Sequence, residues 1–356
     1  MKAKKKIIFF LQSGVGGAER MTVTIGKNLD PNKFDVIFYL LDRPLGTSTI
    51  ENFIPKEYKI RKLSNAKGWD LVKLLNGVLN TEKPDIVFSS MIYVNTKLLA
   101  LKWLHKQTKF IIRNNNYLYT LTRSQKFVLK MTYGWADYII AQTEEMKEEL
   151  IKDTNLSKEK VVVLHNPIDI ETIEEKIKEE SPYNKNNTSI KYVASGRFFH
   201  VKGFDILVKA FKKVIEKQPD SDLYIVGNKT GNCAEYYQRI ESLINDLQLT
   251  EKVHCVGFQE NPYIYVKNAD CFVLSSRNEG LPNVLIEALY LGTPSAATTC
   301  IPIIERLVVN GKTGYLAEPE NSESLAEAMI RASSLGRIKS TYKSATIKDF
   351  TNLFEL

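Results

Sequence analysis

Short apolar runs rich in Ile, Val, Phe and Tyr alternate with longer stretches of helical periodicity along the whole chain. In the first half the runs are 6–11, 34–41, 85–89, 109–113, 138–142 and 161–165. In the second they are 191–195, 222–226, 252–256, 271–275 and 293–297. Alternation of this kind predicts parallel βαβ units, and its repetition predicts two of them in tandem. The segment 181–189 is polar and lacks aliphatic residues, which suits the tail of an interdomain linker. The expected division is therefore an α/β chain of two Rossmann-like domains, 1–166 and 190–336, joined by a linker 167–189. In 337–356, Ile347, Phe350, Leu353 and Phe354 fall at helical spacing and predict a terminal helix, expected to pack back on the first domain. Open parallel sheets bind ligands beyond the carboxyl ends of their strands. Two such crevices facing across a cleft would suit a two-substrate enzyme.

Composition narrows the class without naming the chemistry. With 356 residues, 44% hydrophobic and 25% charged, the chain is ordinary for a globular protein, and fibrous or low-complexity readings fall away. No apolar run reaches the roughly 18 residues of a membrane span, and neither a span nor a signal peptide is expected. Cys233, Cys255, Cys271 and Cys300 show no metal-ligand or disulfide spacing, so no metal site is expected and a reducing cytosol fits. Residues 1–166 carry 27 basic and 16 acidic side chains, the remainder 22 and 25. No acidic residue stands between Asp85 and Asp137, whereas Lys97, Lys102, Lys106, Lys109, Arg113, Arg123, Lys126 and Lys130 are basic. That asymmetry predicts an anionic partner for the first domain.

Three segments carry candidate chemistry. The first predicted strand runs into Gly14-Val15-Gly16-Gly17-Ala18-Glu19-Arg20. Glu19 stands where a dinucleotide fingerprint requires its third glycine, which disfavours a nicotinamide enzyme. A glycine loop opening a helix remains, equally consistent with an anion site or a plain tight turn. The second segment, Ser195 to Asp205, places Arg197 and Lys202 in a strand-to-helix loop, where both can converge on a diphosphate or remain two solvated cations. The third is Ser275 to Leu289. Glu279 ends a strand, Gly280, Leu281, Pro282 and Asn283 turn the chain, and Glu287 follows on a helix. An eight-residue separation would place both carboxylates on one side if the segment were helical throughout.

These segments, with Val256-Gly257-Phe258, resemble in order and spacing the retaining glycosyltransferases of family four, which have the GT-B fold. The resemblance spans nearly the whole chain. It implies that Arg197 and Lys202 grip the diphosphate of a nucleotide sugar and that Glu279 binds the hexose, helped by the amides of Gly280 to Asn283. Glu287 would take the ribose hydroxyls, the base would lie near Gly227 and Phe258, and Gly16 and Gly17 would leave room for phosphates or acceptor. It also implies independence of metals and of any cofactor besides the nucleotide-sugar substrate, UDP-linked by expectation. Two departures stand out. No histidine occupies Ser89-Ser90-Met91 or the stretch after Arg113, where many relatives carry one near the donor sugar; Arg113 and Asn114 are the candidates in its place, and Glu19 is a further cleft candidate. His105, on a basic helix, and His254 are expected to be structural, and His165 is a weaker cleft candidate. The loop 299–305 lacks the glycine pair that relatives carry before Glu305.

The acid-free stretch interleaves its cations with Leu98, Leu99, Leu101, Trp103, Leu104, Tyr117, Tyr119 and Phe127. Such a composition suits the interface of an anionic membrane and equally a solvated basic face over core leucines. No nucleic-acid signature accompanies it. The expected function is transfer of a hexose or N-acetylhexosamine to a lipid-linked or surface-polysaccharide glycan, as in lipopolysaccharide or capsule synthesis, by a cytoplasmic enzyme peripheral to the inner face of the cell membrane. A sugar-nucleotide epimerase or phosphorylase of the same fold, or a non-enzymatic nucleotide- or polyanion-binding protein, are the alternatives.

Overall fold

Ile7 to Phe10 lose all solvent contact, and the strand that contains them, β1 (Lys5–Gln12), lies in the interior of a seven-stranded parallel sheet. The computed structural model describes residues 3–42, 49–184, 187–339 and 346–356. Its contacts divide the chain into two units, Met1–Ile168 with Ser344–Leu356, and Asp169–Lys343.

The first unit contains β1, β2 (Phe34–Leu41), β3 (Lys59–Leu63), β4 (Ile86–Ser89), β5 (Lys109–Arg113), β6 (Tyr138–Ala141) and β7 (Val161–Val163), in the order β3-β2-β1-β4-β5-β6-β7. β1 pairs in parallel with β2 on one side and β4 on the other, so strand order reverses there, and the crevice beyond the carboxyl ends of β1 and β4 is the topological switch point. In the second unit β8 (Ile190–Ser195), β9 (Ser221–Val226), β10 (Val253–Gly257), β11 (Cys271–Leu274), β12 (Ser295–Thr298) and β13 (Gly314–Ala317) run in the order β10-β9-β8-β11-β12-β13. The reversal falls between β8 and β11. The loops leaving these two strands are those that carry Lys202 and Glu279.

Two strands escaped the apolar pattern. β3 reads Lys-Ile-Arg-Lys-Leu and is largely solvent-exposed at the sheet edge, so no apolar run announces it. β13 is four residues long, begins with a glycine and also lies at an edge. One expected boundary differs as well. The segment expected as linker is packed: the helix Ile170–Lys176 buries Ile173, and Tyr183 lies 4.7 Å from the Tyr224 ring and donates its hydroxyl to the Tyr265 carbonyl at 2.8 Å. Aromatic anchoring there replaces the missing aliphatics. Residues 185–186 of that segment lie outside the described residues.

The terminal helix is Ile347–Glu355 and belongs to the first unit; 340–345, in the stretch expected to lead into it, lie outside the described residues. Phe354 meets Phe9 and Phe88 edge-on at 6.1 and 6.0 Å. Lys5 Nζ donates to the carbonyls of Phe354 and Glu355, setting a cation on the negative end of the helix. Replacing Phe354 by Ala removes a fully buried ring and should destabilise the first unit by about 3 kcal/mol or more. All three tryptophans, Trp69, Trp103 and Trp135, lie in this unit, so a urea titration followed by tryptophan fluorescence reads the loss directly; an unchanged midpoint would show that the helix does not support the core.

Candidate functional site: a Lys–Glu pair at the second switch point

Beyond the carboxyl ends of β8 and β11, Lys202 Nζ lies 2.6 Å from Glu279 Oε1. Ser276 Oγ donates to the same oxygen at 2.6 Å. Both charged side chains are largely withdrawn from water, with 23% of Lys202 and 11% of Glu279 exposed, and half-buried charges need each other. Glu279 sits in the loop and not on the helix, which begins at Asn283; the helix carries the half-buried Glu287. The two carboxylates therefore do not share one continuous helical face.

Glycines make this loop geometry possible. Gly203 has φ +64°, and a Cβ there would overlap the Ser275 carbonyl oxygen. Gly196 lies against the Lys202 methylenes, with a Cβ at 3.4 Å. Gly227 donates its amide to Gly257 at 2.8 Å, and a Cβ on it would overlap the Gly196 carbonyl. Gly227 thus owes its identity to close packing of the β8 and β9 loops, a structural reason alongside the expected nucleobase contact. Phe258, next to Gly257 at φ +77°, is 36% exposed. Arg197 is half-buried and turns its guanidinium to the Phe199 ring, 4.9 Å from the centroid. Lys202, and not Arg197, makes the ion pair with Glu279. The loop 299–305 brings Cys300 near the pair: burial first, and then the Glu279 charge, push its thiol up to about 12.

Sequence reasoning passed over four residues here. Arg277 bonds both carboxylate oxygens of Asp205 and of Glu320, and Ser275 Oγ donates to the Lys202 carbonyl at 2.9 Å. Asp205, Ser275 and Arg277 lie within the two segments that the sequence singles out, but nothing in the sequence marks their partnership, and Glu320 lies outside both.

The first unit assembles a different chemistry. Gly16 caps the helix Gly17–Lys27 in extended conformation, and Glu19 is buried in its first turn. Arg113, at the end of β5, is fully buried and does not belong to a basic surface. It donates to Asn115 and Asn166, while burial pushes its guanidinium down to about 9, opposed by the Glu19 charge. Asn114 Nδ2 donates to the Asn116 carbonyl at 2.6 Å; Arg113 Nε and Asn114 Oδ1 are buried without a hydrogen-bond partner among the described residues. Asn115 Nδ2 donates to the Ser90 carbonyl at 2.6 Å. The histidines are held elsewhere: His165 Nδ1 contacts the Gln142 carbonyl at 2.6 Å, His254 stacks on Tyr224, and His105 lies beyond the helix end, 2.8 Å from Asn76.

A cavity of about 490 Å³ opens beside this polar network, lined by Gln12, Ser90, Tyr93, Lys97 and Asn115 and walled by Ser124, Gln125 and Val128. That wall belongs to the helix Arg123–Thr132, whose entry is closed by a Thr122–Gln125 capping box. Of the apolar residues in the basic stretch, Leu98, Leu99, Leu101 and Tyr117 are core, whereas Trp103, Leu104, Tyr119 and Phe127 are exposed. Val128 and Met131 are exposed as well. Among the described residues no three His, Cys, Asp or Glu side chains group as a metal site requires, and no helix is long and apolar enough to cross a membrane.

Two family models match the chain: Glycosyltransferase Family 4 over residues 15–172 and Glycosyl transferases group 1 over 174–348. An uncharacterized glycosyltransferase of Methanocaldococcus jannaschii, MJ1059, is 33% identical over 238 residues, 63% of this chain and 57% of its own length. The N-acetylgalactosamine-N,N'-diacetylbacillosaminyl-diphospho-undecaprenol 4-alpha-N-acetylgalactosaminyltransferase of Campylobacter jejuni is 26% identical over 358 residues, 95% of this chain and 92% of its own length. Anabaena Alr3699/HepE, solved in complex with UDP and glucose, superposes with a TM-score of 0.81 at 18% identity, covering 99% of this chain and 98% of that one. The two-sheet architecture is the GT-B fold.

The glycines offer a direct check on the loop. Gly203→Ala should lose about 1–3 kcal/mol from its left-handed φ alone and more from the overlap with Ser275, lowering the calorimetric Tm by several degrees. Gly196→Ala should fold with a Tm close to that of the parent. Equal Tm values for the two variants would contradict this account.

Proposed function

Because this chain belongs to the family-four glycosyltransferases, we propose that it moves a hexose or N-acetylhexosamine, with retention of configuration, from a UDP-sugar to a lipid-linked or surface-polysaccharide glycan. The observation that carries this reading is the Lys202–Glu279–Ser276 constellation at the switch point of the second sheet. When the glycosyl–phosphate bond breaks, its electron pair goes to the diphosphate and positive charge develops on the sugar. A lysine beside the one and a carboxylate beside the other stabilise charge that appears only in the transition state. Before donor binds, the two neutralise each other; a diphosphate arriving at Lys202 releases Glu279 to accept hydrogen bonds from sugar hydroxyls. Arg197, whose planar fork suits phosphate, is the second cation. With fixed cations on the leaving group, the reaction uses no metal and no cofactor. The acceptor oxygen attacks C1 on the face the diphosphate leaves, and its proton passes to the departing phosphate.

UDP as the donor nucleotide is supported by the HepE complexes, and a diphospho-undecaprenol-linked acceptor by the Campylobacter relative. The cavity beside Ser90 and Asn115 offers the acceptor glycan hydroxyl, amide and carbonyl partners without a carboxylate among its lining. Its wall helix supports association with an anionic membrane, peripheral and on the cytoplasmic face. Phe127, Val128 and Met131 are exposed at positions that share one side of the helix, with Arg123, Lys126 and Lys130 on the same ten-residue element. Each cation near an anionic surface contributes about 1 kcal/mol.

UDP should raise the Tm, and the rise should survive EDTA, since a ligand specific to the native state stabilises it. Lys202→Ala and Glu279→Gln should each cut transfer about 100- to 1,000-fold, and Lys202→Ala should also lower the Tm because it leaves the Glu279 charge unpaired; near-normal rates in either folded variant would remove the site assignment. For the membrane, Phe127→Glu with Met131→Glu should abolish co-sedimentation with phosphatidylglycerol vesicles, and the parent should bind them in a salt-sensitive way. Binding that persists in the double variant would place the contact elsewhere.

A further inference from the structure

The loop after β11 holds another cation, and it is fully engaged. Arg277 lies two residues before Glu279, with 16% of its side chain exposed. Nη1 and Nη2 bond the two carboxylate oxygens of Asp205 at 2.8 Å each. Nε and Nη2 bond those of Glu320 at 2.6 and 3.1 Å, and Nη1 also reaches the His200 carbonyl at 2.7 Å. A guanidinium has five N–H donors, and these five bonds use them all. Arg277 has none left for a phosphate.

Its surroundings explain what the fork accomplishes. The Arg277 amide donates to the Val201 carbonyl at 2.8 Å, and Ser275 Oγ donates to the Lys202 carbonyl at 2.9 Å. The carbonyls of 200, 201 and 202 are thus held in succession by one three-residue piece of the neighbouring loop. Asp205 anchors the far side: it opens the helix Phe204–Lys217 and also accepts the Tyr236 hydroxyl at 2.6 Å. Burial opposes its charge, yet Arg277 and Tyr236 hold its carboxyl far below the ordinary range. Glu320 anchors the other side in a left-handed backbone, φ +59°, a conformation non-glycine residues hold where their surroundings enforce it.

We propose that Arg277 is a positioning residue, which fixes the Lys202 loop against the Glu279 loop and so presets the ion pair for the donor without touching it. The proposal rests on the donor-site reading above and is separable from it. Arg277→Gln should lower kcat about 10- to 100-fold, the scale of an ångström misplacement, with the donor KM shifted less than about 3-fold. Arg277→Lys, which keeps the charge but loses the fork, should not rescue it. On a Lys202→Ala background the same change should cost less than about 2-fold further, because it acts through that lysine. Glu320→Gln, which leaves Asp205 in place, should fall in the same direction by less, and serves if Arg277→Gln does not fold. Amide hydrogen exchange needs no substrate: it should rise in 198–203 and 276–282 in either variant. If the wild-type chain turns over no nucleotide sugar, the donor reading fails while exchange still decides positioning. Unchanged exchange, wild-type kcat in Arg277→Gln, or losses that multiply fully with Lys202→Ala would overturn the proposal.

Discussion

A lysine and a glutamate drawn mostly out of water within one small crevice constrain everything around them. Neither charge is tolerable there alone, so the loops after β8 and β11 must come together closely enough to pair them. Parallel strand order supplies the first requirement, because only at a reversal do two adjacent carboxyl-end loops diverge and leave room between them. Close packing supplies the second. Gly203 turns left-handed against Ser275, Gly227 lets the β9 end press on Gly196, and Ser275, Ser276 and Arg277 spend their donors on the Lys202 loop and on Glu279. The polar groups within this crevice hold one another in register before any ligand arrives, which is the condition for electrostatic preorganisation.

The two units solve the problem of a buried polar site differently. In the second, charge is met by opposite charge: Lys202 with Glu279, Arg277 with Asp205 and Glu320. In the first, Arg113 is buried among amides, donating to Asn115 and Asn166, with the Glu19 charge favouring its protonated form against the effect of burial. Amide partners satisfy hydrogen bonds without neutralising the cation, and burial pushes the Arg113 guanidinium down accordingly. A network of neutral donors and acceptors suits a partner rich in hydroxyls, whereas fixed ion pairs suit one whose charge changes as it reacts. The division of labour expected between the domains of a two-substrate enzyme thus has a counterpart in the local chemistry of each unit.

What was legible in the sequence follows from how each feature is encoded. Central strands are apolar on both faces and announce themselves; β3, with three cations in five residues, is an edge strand whose side chains meet water, and no hydrophobic run marks it. Lys202 and Glu279 were legible because each sits in a strand–loop–helix segment with its glycines. Arg277 was in plain view within the same segment and carried no signal of its own, because its partners Asp205 and Glu320 lie 72 and 43 residues away. Pairings over such separations are a property of the fold. Tyr183 is a similar case: in a polar stretch it reads as linker, and only the presence of Tyr224 and Tyr265 across the packing makes it an anchor.

The basic stretch shows most clearly where a count of charges along a chain stops being a description of a surface. Five of its eight cations meet three fates. Arg113 is interior, held by asparagines. Lys102 is tied to Asp137 at 2.5 Å, so the acidic residue that ends the acid-free run neutralises one of its members. Arg123, Lys126 and Lys130 fall on one helix together with exposed Phe127, Val128 and Met131. The apolar residues divide in the same way, since Leu98, Leu99 and Leu101 build the core while Trp103 and Leu104 do not. Three cations and three exposed apolar residues thus share a single helix, the one that also lends Ser124, Gln125 and Val128 to the cavity wall. Whatever occupies the cavity lies beside a helix whose exposed positions are at once cationic and apolar, and that combination is the surface chemistry that an anionic lipid interface matches.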